Sequence, residues 1–99
     1  MIVRIVKMEF QQEYVERFKQ LFEDRKENIR HFPGCNHLEL LQGTEAKKNV
    51  FITYSYWESE DALNDYRYSD LFKQTWQETK SMFARKPEAI SFEKIHCLD

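Results

Sequence analysis

The sequence predicts an α+β fold of the ferredoxin-like kind, a β-α-β-β-α-β order with two helical regions on one face of a four-stranded antiparallel sheet. Three observations predict it. Short β-branched and aromatic runs alternate with stretches of helical periodicity. Two strand-like runs follow one another with only a polar connector between them. The 99 residues leave room for a single domain, 1–99, with one core.

The first element is Met1 to Phe10, short and rich in β-branched residues. Alternation puts Ile2, Arg4, Val6 and Met8 on one face and Val3, Ile5 and Lys7 on the other. The period changes from about Gln12 to Phe32. Val15, Phe18, Phe22 and Ile29, with Leu21 beside them, form an apolar helical stripe, and Glu13, Glu16, Arg17, Gln20, Glu23 and Glu27 fill the opposite side. Phe32-Pro33-Gly34 ends this helix, because proline removes a donor and glycine permits a turn. A hairpin follows, with strands at Asn36 to Gln42 and Val50 to Trp57. In the second of these, Val50, Ile52, Tyr54 and Tyr56 share one face, and Phe51, Thr53, Ser55 and Trp57 the other. Ser59 suits an N-cap, with Glu60 and Asp61 in the first turn where the helix dipole favours carboxylates. Ser69-Asp70 is a second cap signal, so the second helix is read as split near Arg67. Its later part turns Leu71, Phe72, Thr75, Trp76, Thr79 and Met82 or Phe83 inward, Pro87 closes the helical region, and Glu88 to Leu98 reads as the last strand.

Neither face of Val50 to Trp57 is polar enough to lie in water, and two helices cover only one face of a sheet. A second copy of the chain is the simplest cover for the other, which predicts a homodimer with a barrel-like pair of sheets. A monomer with an aromatic-rich exposed face is the plainer alternative.

Composition narrows the partners. Aromatic residues are 15% of the chain, and only two Gly and two Pro occur, which argues against disorder. The net charge of −2 is the balance of 15 basic and 17 acidic residues without a basic stripe, so no nucleic acid is expected as partner. Arg4, Lys7 and Glu9 interrupt the N-terminal segment, and no run approaches the roughly 20 apolar residues of a membrane span, so neither signal peptide nor membrane is expected. Cys35 and Cys97 belong to no CxxC pattern and read as reduced thiols of a cytoplasmic protein. No metal-ligand cluster, Gly-rich phosphate loop or nucleophilic triad is visible, so no cofactor and no metal are expected.

An apolar strand ending in Trp57-Glu58-Ser59, an acidic helix start at Glu60-Asp61, a second helix opening at Ser69-Asp70-Leu71-Phe72, and the Phe32-Pro33-Gly34-Cys35 turn together resemble the antibiotic biosynthesis monooxygenase (ABM) family. The resemblance spans essentially the whole chain. It implies a dimeric α+β barrel with a pocket between the helices and the helix-facing side of the sheet. It also implies activities that range from cofactor-independent oxygenation of aromatic polyketides and quinols to haem degradation. Haem-degrading members carry a Trp nine positions after the turn Trp and a ligating His nineteen after it; those positions here are Tyr66 and Trp76. They also use an Asn on the first strand, and this first strand has none. An indole has no lone pair for iron, so haem degradation is disfavoured.

For the oxygenase branch, the resemblance places Tyr66 near the substrate. A substrate that reacts with dioxygen without metal or flavin supplies the electrons itself, as a phenolate or enolate. The protein must then hold that anion in a dry aromatic cavity. The candidates are Tyr66, His37 for proton transfer and Arg4 for anion stabilisation, with Tyr54, Phe72 and Trp76 as substrate-binding residues. Each also has a packing explanation. Tyr66, Phe72 and Trp76 sit at spacings that seat them against the sheet, and Arg4 can snorkel or pair with a carboxylate. The predicted function is a cofactor-independent monooxygenase of a small aromatic molecule. The alternatives are a non-catalytic binding or regulatory module and a non-redox, isomerase-like enzyme on the same scaffold.

Overall fold

A computed structural model describes all residues, Met1–Asp99. The strands are β1 (Ile2–Glu9), β2 (Cys35–Gln42), β3 (Val50–Trp57) and β4 (Glu88–Glu93). The helices are α1 (Val15–Arg30), α2 (Glu60–Arg67) and α3 (Asp70–Lys80). The sheet is antiparallel throughout, in the order β2-β3-β1-β4. This is the ferredoxin-like βαββααβ arrangement, with the second helical region in two pieces.

Register turns alternation into rows across the sheet. Arg4 pairs with Ser55 on one side and Ser91 on the other, and Val6 pairs with Thr53 and Ala89. These rows face the helices. The alternate rows, Val3 with Tyr56 and Phe92, and Ile5 with Tyr54 and Ile90, point away from them. Between α1 and β2, Gly34 takes φ +90°, and a Cβ there would lie 2.5 Å from the Ala62 Cβ. Its carbonyl accepts from the Glu58 N–H at 2.8 Å, so this turn is pinned against the start of α2. The starts of α2 and α3 are capped as expected. Ser59 Oγ accepts from the Ala62 N–H and Ser69 Oγ from the Phe72 N–H, each at 3.1 Å.

The core lies between the helices and the sheet, in two packed ends. At one, Phe10, Phe18 and Phe51 interlock with Met8, Val15 and Met82, and Phe10 stacks on Phe18 with ring centres 4.2 Å apart. At the other, Cys35, Trp57 and Leu63 are buried together.

Three boundaries differ from expectation. The last strand ends at Glu93 rather than Leu98: its ladder with β1 runs out where Glu93 pairs with Ile2, the first residue of β1. His96 is therefore not on a strand. A 3-10 turn over Gln12–Tyr14 precedes α1. Met82 and Phe83 act from beyond the end of α3, where Phe83 bridges to Phe10 and the Met82 carbonyl accepts from the Gln11 N–H at 3.0 Å. No helix is long and apolar enough to cross a membrane.

Candidate functional site

Between the two packed ends, the layers part around a cavity of about 440 Å³. That volume falls within the range of about 300–1,000 Å³ typical of small-molecule sites. Its floor is the helix-facing side of the sheet, with Arg4, Val6 and Met8 from β1 and Thr53, Ser55 and Trp57 from β3. Phe18, Phe22 and Ile29 of α1 close one side, and Leu63, Tyr66, Phe72 and Trp76 of α2 and α3 close the other. The aromatic wall is continuous. Tyr66 stacks on Trp57 at 4.9 Å and meets Phe72 edge-on at 5.2 Å, and Phe72 stacks on Trp76 at 5.8 Å with the rings 9° from parallel.

Several polar groups along this wall are already engaged. The Trp57 indole N–H donates to Ser55 Oγ at 2.9 Å, and Thr79 Oγ1 donates to the Thr75 carbonyl at 2.7 Å. Arg25, which interrupts the apolar stripe of α1, donates to Thr75 Oγ1 at 2.8 Å and pairs with Glu78, tying α1 to α3. The groups left over define the chemistry. The Tyr66 hydroxyl makes no hydrogen bond within the chain, and burial pushes its pKa well above the ordinary tyrosine value, so it stays a proton-bearing donor. Arg4 spends one N–H on Ser91 Oγ at 3.0 Å and has no carboxylate partner. Burial, and then the charge of Arg67, pull its pKa below the usual value. No carboxylate, imidazole or thiol lines the cavity. No group of three or more His, Cys, Asp or Glu side chains gathers anywhere to hold a metal ion.

The structure thus brings together Arg4, Tyr66, Phe72 and Trp76 of the residues singled out from the sequence. It does not bring His37 and Tyr54 to them. Both lie on the opposite face of the sheet, which corrects their assignment to the pocket. The physical reason is strand alternation: Tyr54 and Tyr56 flank Ser55, which faces the cavity, and His37 pairs with Tyr56. There His37 Nε2 bonds Glu39 Oε2 at 2.5 Å and the Tyr54 and Tyr56 hydroxyls meet at 3.3 Å. That hydrogen bond is the leading cause of a raised Tyr54 pKa. The sequence reading missed Arg67, Thr53 and Tyr68, which also line the cavity. Thr53 was recoverable, since it shares its face with Ser55 and Trp57.

A model of the antibiotic biosynthesis monooxygenase family matches residues 1–78. The chain belongs to the ABM family. Solved structures agree on the ABM fold. A candidate antibiotic biosynthesis monooxygenase of Nitrosomonas europaea superimposes with a TM-score of 0.88 at 16% identity, covering 97% of this chain and 100% of that one. A conserved protein of Methanosarcina mazei gives 0.87 at 22% identity, over 95% of this chain and 93% of that one. A candidate antibiotic biosynthesis monooxygenase of Caulobacter crescentus gives 0.85 at 20%, over 96% and 90%. No curated protein matches the chain. At these identities the structural likeness speaks to the ABM fold alone, so the chemistry rests on this chain's own cavity.

Proposed function

We propose that this ABM-family chain is a cofactor-independent monooxygenase of a small phenol, quinol or anthrone-like molecule held in the cavity. The observation that carries the reading is an aromatic-walled chamber whose free polar groups include a guanidinium and a protonated phenol but no carboxylate or imidazole. Such a site stabilises an anion and supplies a hydrogen bond to oxygen, and it keeps water from the intermediates.

With no carboxylate or imidazole on the wall, the substrate loses its proton to solvent, and the Arg4 guanidinium favours the resulting enolate or phenolate. That anion is the source of electrons for dioxygen. For an anthrone, the methylene becomes a carbonyl, one oxygen atom enters the product and the other leaves as water, so R₂CH₂ + O₂ gives R₂CO + H₂O. Tyr66 donates its hydrogen bond to the oxygen on which charge develops. A homodimer paired through the outward rows of the sheet belongs to the same proposal.

The same absence of a protein base supports a second reading, a binding module that holds an aromatic anion without turnover. It also leaves an isomerase without the proton acceptor it needs. Oxygen uptake by chelator-treated protein with anthrones and quinols separates these readings. Protein-dependent uptake is expected, and Tyr66→Phe should lower it about tenfold or more, as for loss of a hydrogen bond to a charged centre. Uptake no faster than the uncatalysed background would leave the binding module.

A further inference from the structure

We infer that the ligand of this cavity is an aromatic carboxylate, its carboxylate clamped between Arg4 and Arg67 and its ring laid against Tyr66, Phe72 and Trp76. The inference rests on the cavity being the binding site, as proposed above, and adds the charge and chemical class of what enters it.

Two cations share one largely apolar chamber without an anion. Arg25 and Arg85 pair with Glu78 and Glu9, whereas neither Arg4 nor Arg67 is in an ion pair, and both line the cavity. Arg67 makes no side-chain hydrogen bond within the chain. Both border the same chamber, where burial and then the like charge of Arg67 lower the Arg4 pKa, so the two guanidinium groups repel. Its place in the last turn of α2 is accounted for by the helix dipole. The dipole does not account for its bordering the same chamber as Arg4. An anion between them turns mutual repulsion into two attractions, and a planar carboxylate suits the guanidinium forks edge to edge. Arg4 itself cannot swing freely, because Ser91 in the next strand of its own row holds one N–H. Arg67, exposed at the end of its helix, is the adjustable half of the clamp. The free Tyr66 hydroxyl adds a neutral donor, and the stacked rings beside it select a flat apolar body.

Calorimetric titration of the intact protein with 2-naphthoate and 2-naphthamide tests this, since the two share a ring system and differ in charge. The carboxylate is expected to bind about tenfold more tightly or better, in line with hydrogen bonds to a charged group. Arg67→Gln should remove most of that preference, Arg4→Gln should do the same, and Arg85→Gln, outside the cavity, should leave it intact. Arg67 is at the surface, so its variant remains informative even if Arg4→Gln folds poorly. Equal binding of acid and amide, or full preference retained in Arg67→Gln, would overturn the clamp and leave the cavity reading standing. Binding of neither compound would overturn the cavity reading and the clamp with it.

Discussion

The two faces of the sheet carry almost the same share of apolar side chains and put them to different uses. On the helix side, Phe10, Phe51 and Trp57 are essentially inaccessible, and the remaining space is a chamber with cationic and phenolic groups at its edge. On the other side, Ile90 is 54% exposed and Phe92 45%, and His37, Glu39, Tyr54 and Tyr56 form a hydrogen-bonded and aromatic patch within one layer of atoms. Hydrophobicity alone does not distinguish a ligand site from a mating surface; curvature and the presence of a second layer do.

The difference can be broken most directly in the buried face. Phe10→Ala is expected to cost about 3–5 kcal/mol in urea unfolding, because its ring touches Phe18, Phe51 and Phe83 and leaves a void none of them can fill. A loss below about 1 kcal/mol would mean that end of the core is not close-packed. The open face is tested by charge instead. Ile90→Asp should halve the mass measured by light scattering under the proposed pairing, with little change in ligand affinity, since Ile90 does not line the cavity. An unchanged mass would remove this face from the interface.

The smallest effect sharpens the contrast through pH. A phenol whose pKa is raised by folding keeps its proton while the unfolded chain, near its ordinary value of 10.0, has lost it. Above that pH the unfolded state binds fewer protons, so stability falls as pH rises; below it this contribution is fully present. Tyr66→Phe should therefore flatten the alkaline fall in stability seen by thermal melting between pH 9 and 11. Tyr54→Phe should flatten it less, because Tyr54 owes its shift first to a hydrogen bond with Tyr56 and only then to burial. Equal flattening would show that burial does not separate the two rings.

Much of the fold was legible because local signals and burial agree in it. Val50 to Trp57 is a short run of mostly β-branched and aromatic residues, Ser59 and Ser69 cap where their neighbours need a cap, and Phe32-Pro33-Gly34 stops α1 near the expected place. The site was legible only in part. Tyr66, Phe72 and Trp76 stood out as aromatic residues at helical spacings turned toward the sheet, and Arg4 as a charge within an apolar strand. His37 and Tyr54 were drawn in by their chemistry, although the period of two already put Tyr54 across the sheet from Ser55. Arg67 was hidden because a basic residue at a helix end has a sufficient local explanation, and only the folded chain puts it on the same cavity as Arg4. The end of β4 depended on where its partner strand begins, which no property of residues 94–98 announces.

One hydroxyl at the break between α2 and α3 governs how the aromatic wall is made. Ser69 Oγ donates to the Tyr66 carbonyl at 2.6 Å and accepts from the Phe72 N–H at 3.1 Å. On one uninterrupted helix, residues six apart diverge by about 120° around the axis, so one of these two rings would swing toward solvent. Breaking the helix at Ser69 resets that angular count, and two rings from a seven-residue span meet at one chamber. The phase of the helix is thus a dimension along which relatives of this fold can be retuned: lengthening or shortening the break by one residue would rotate Phe72 and Trp76 together, and reshape the wall without altering a single residue that forms it.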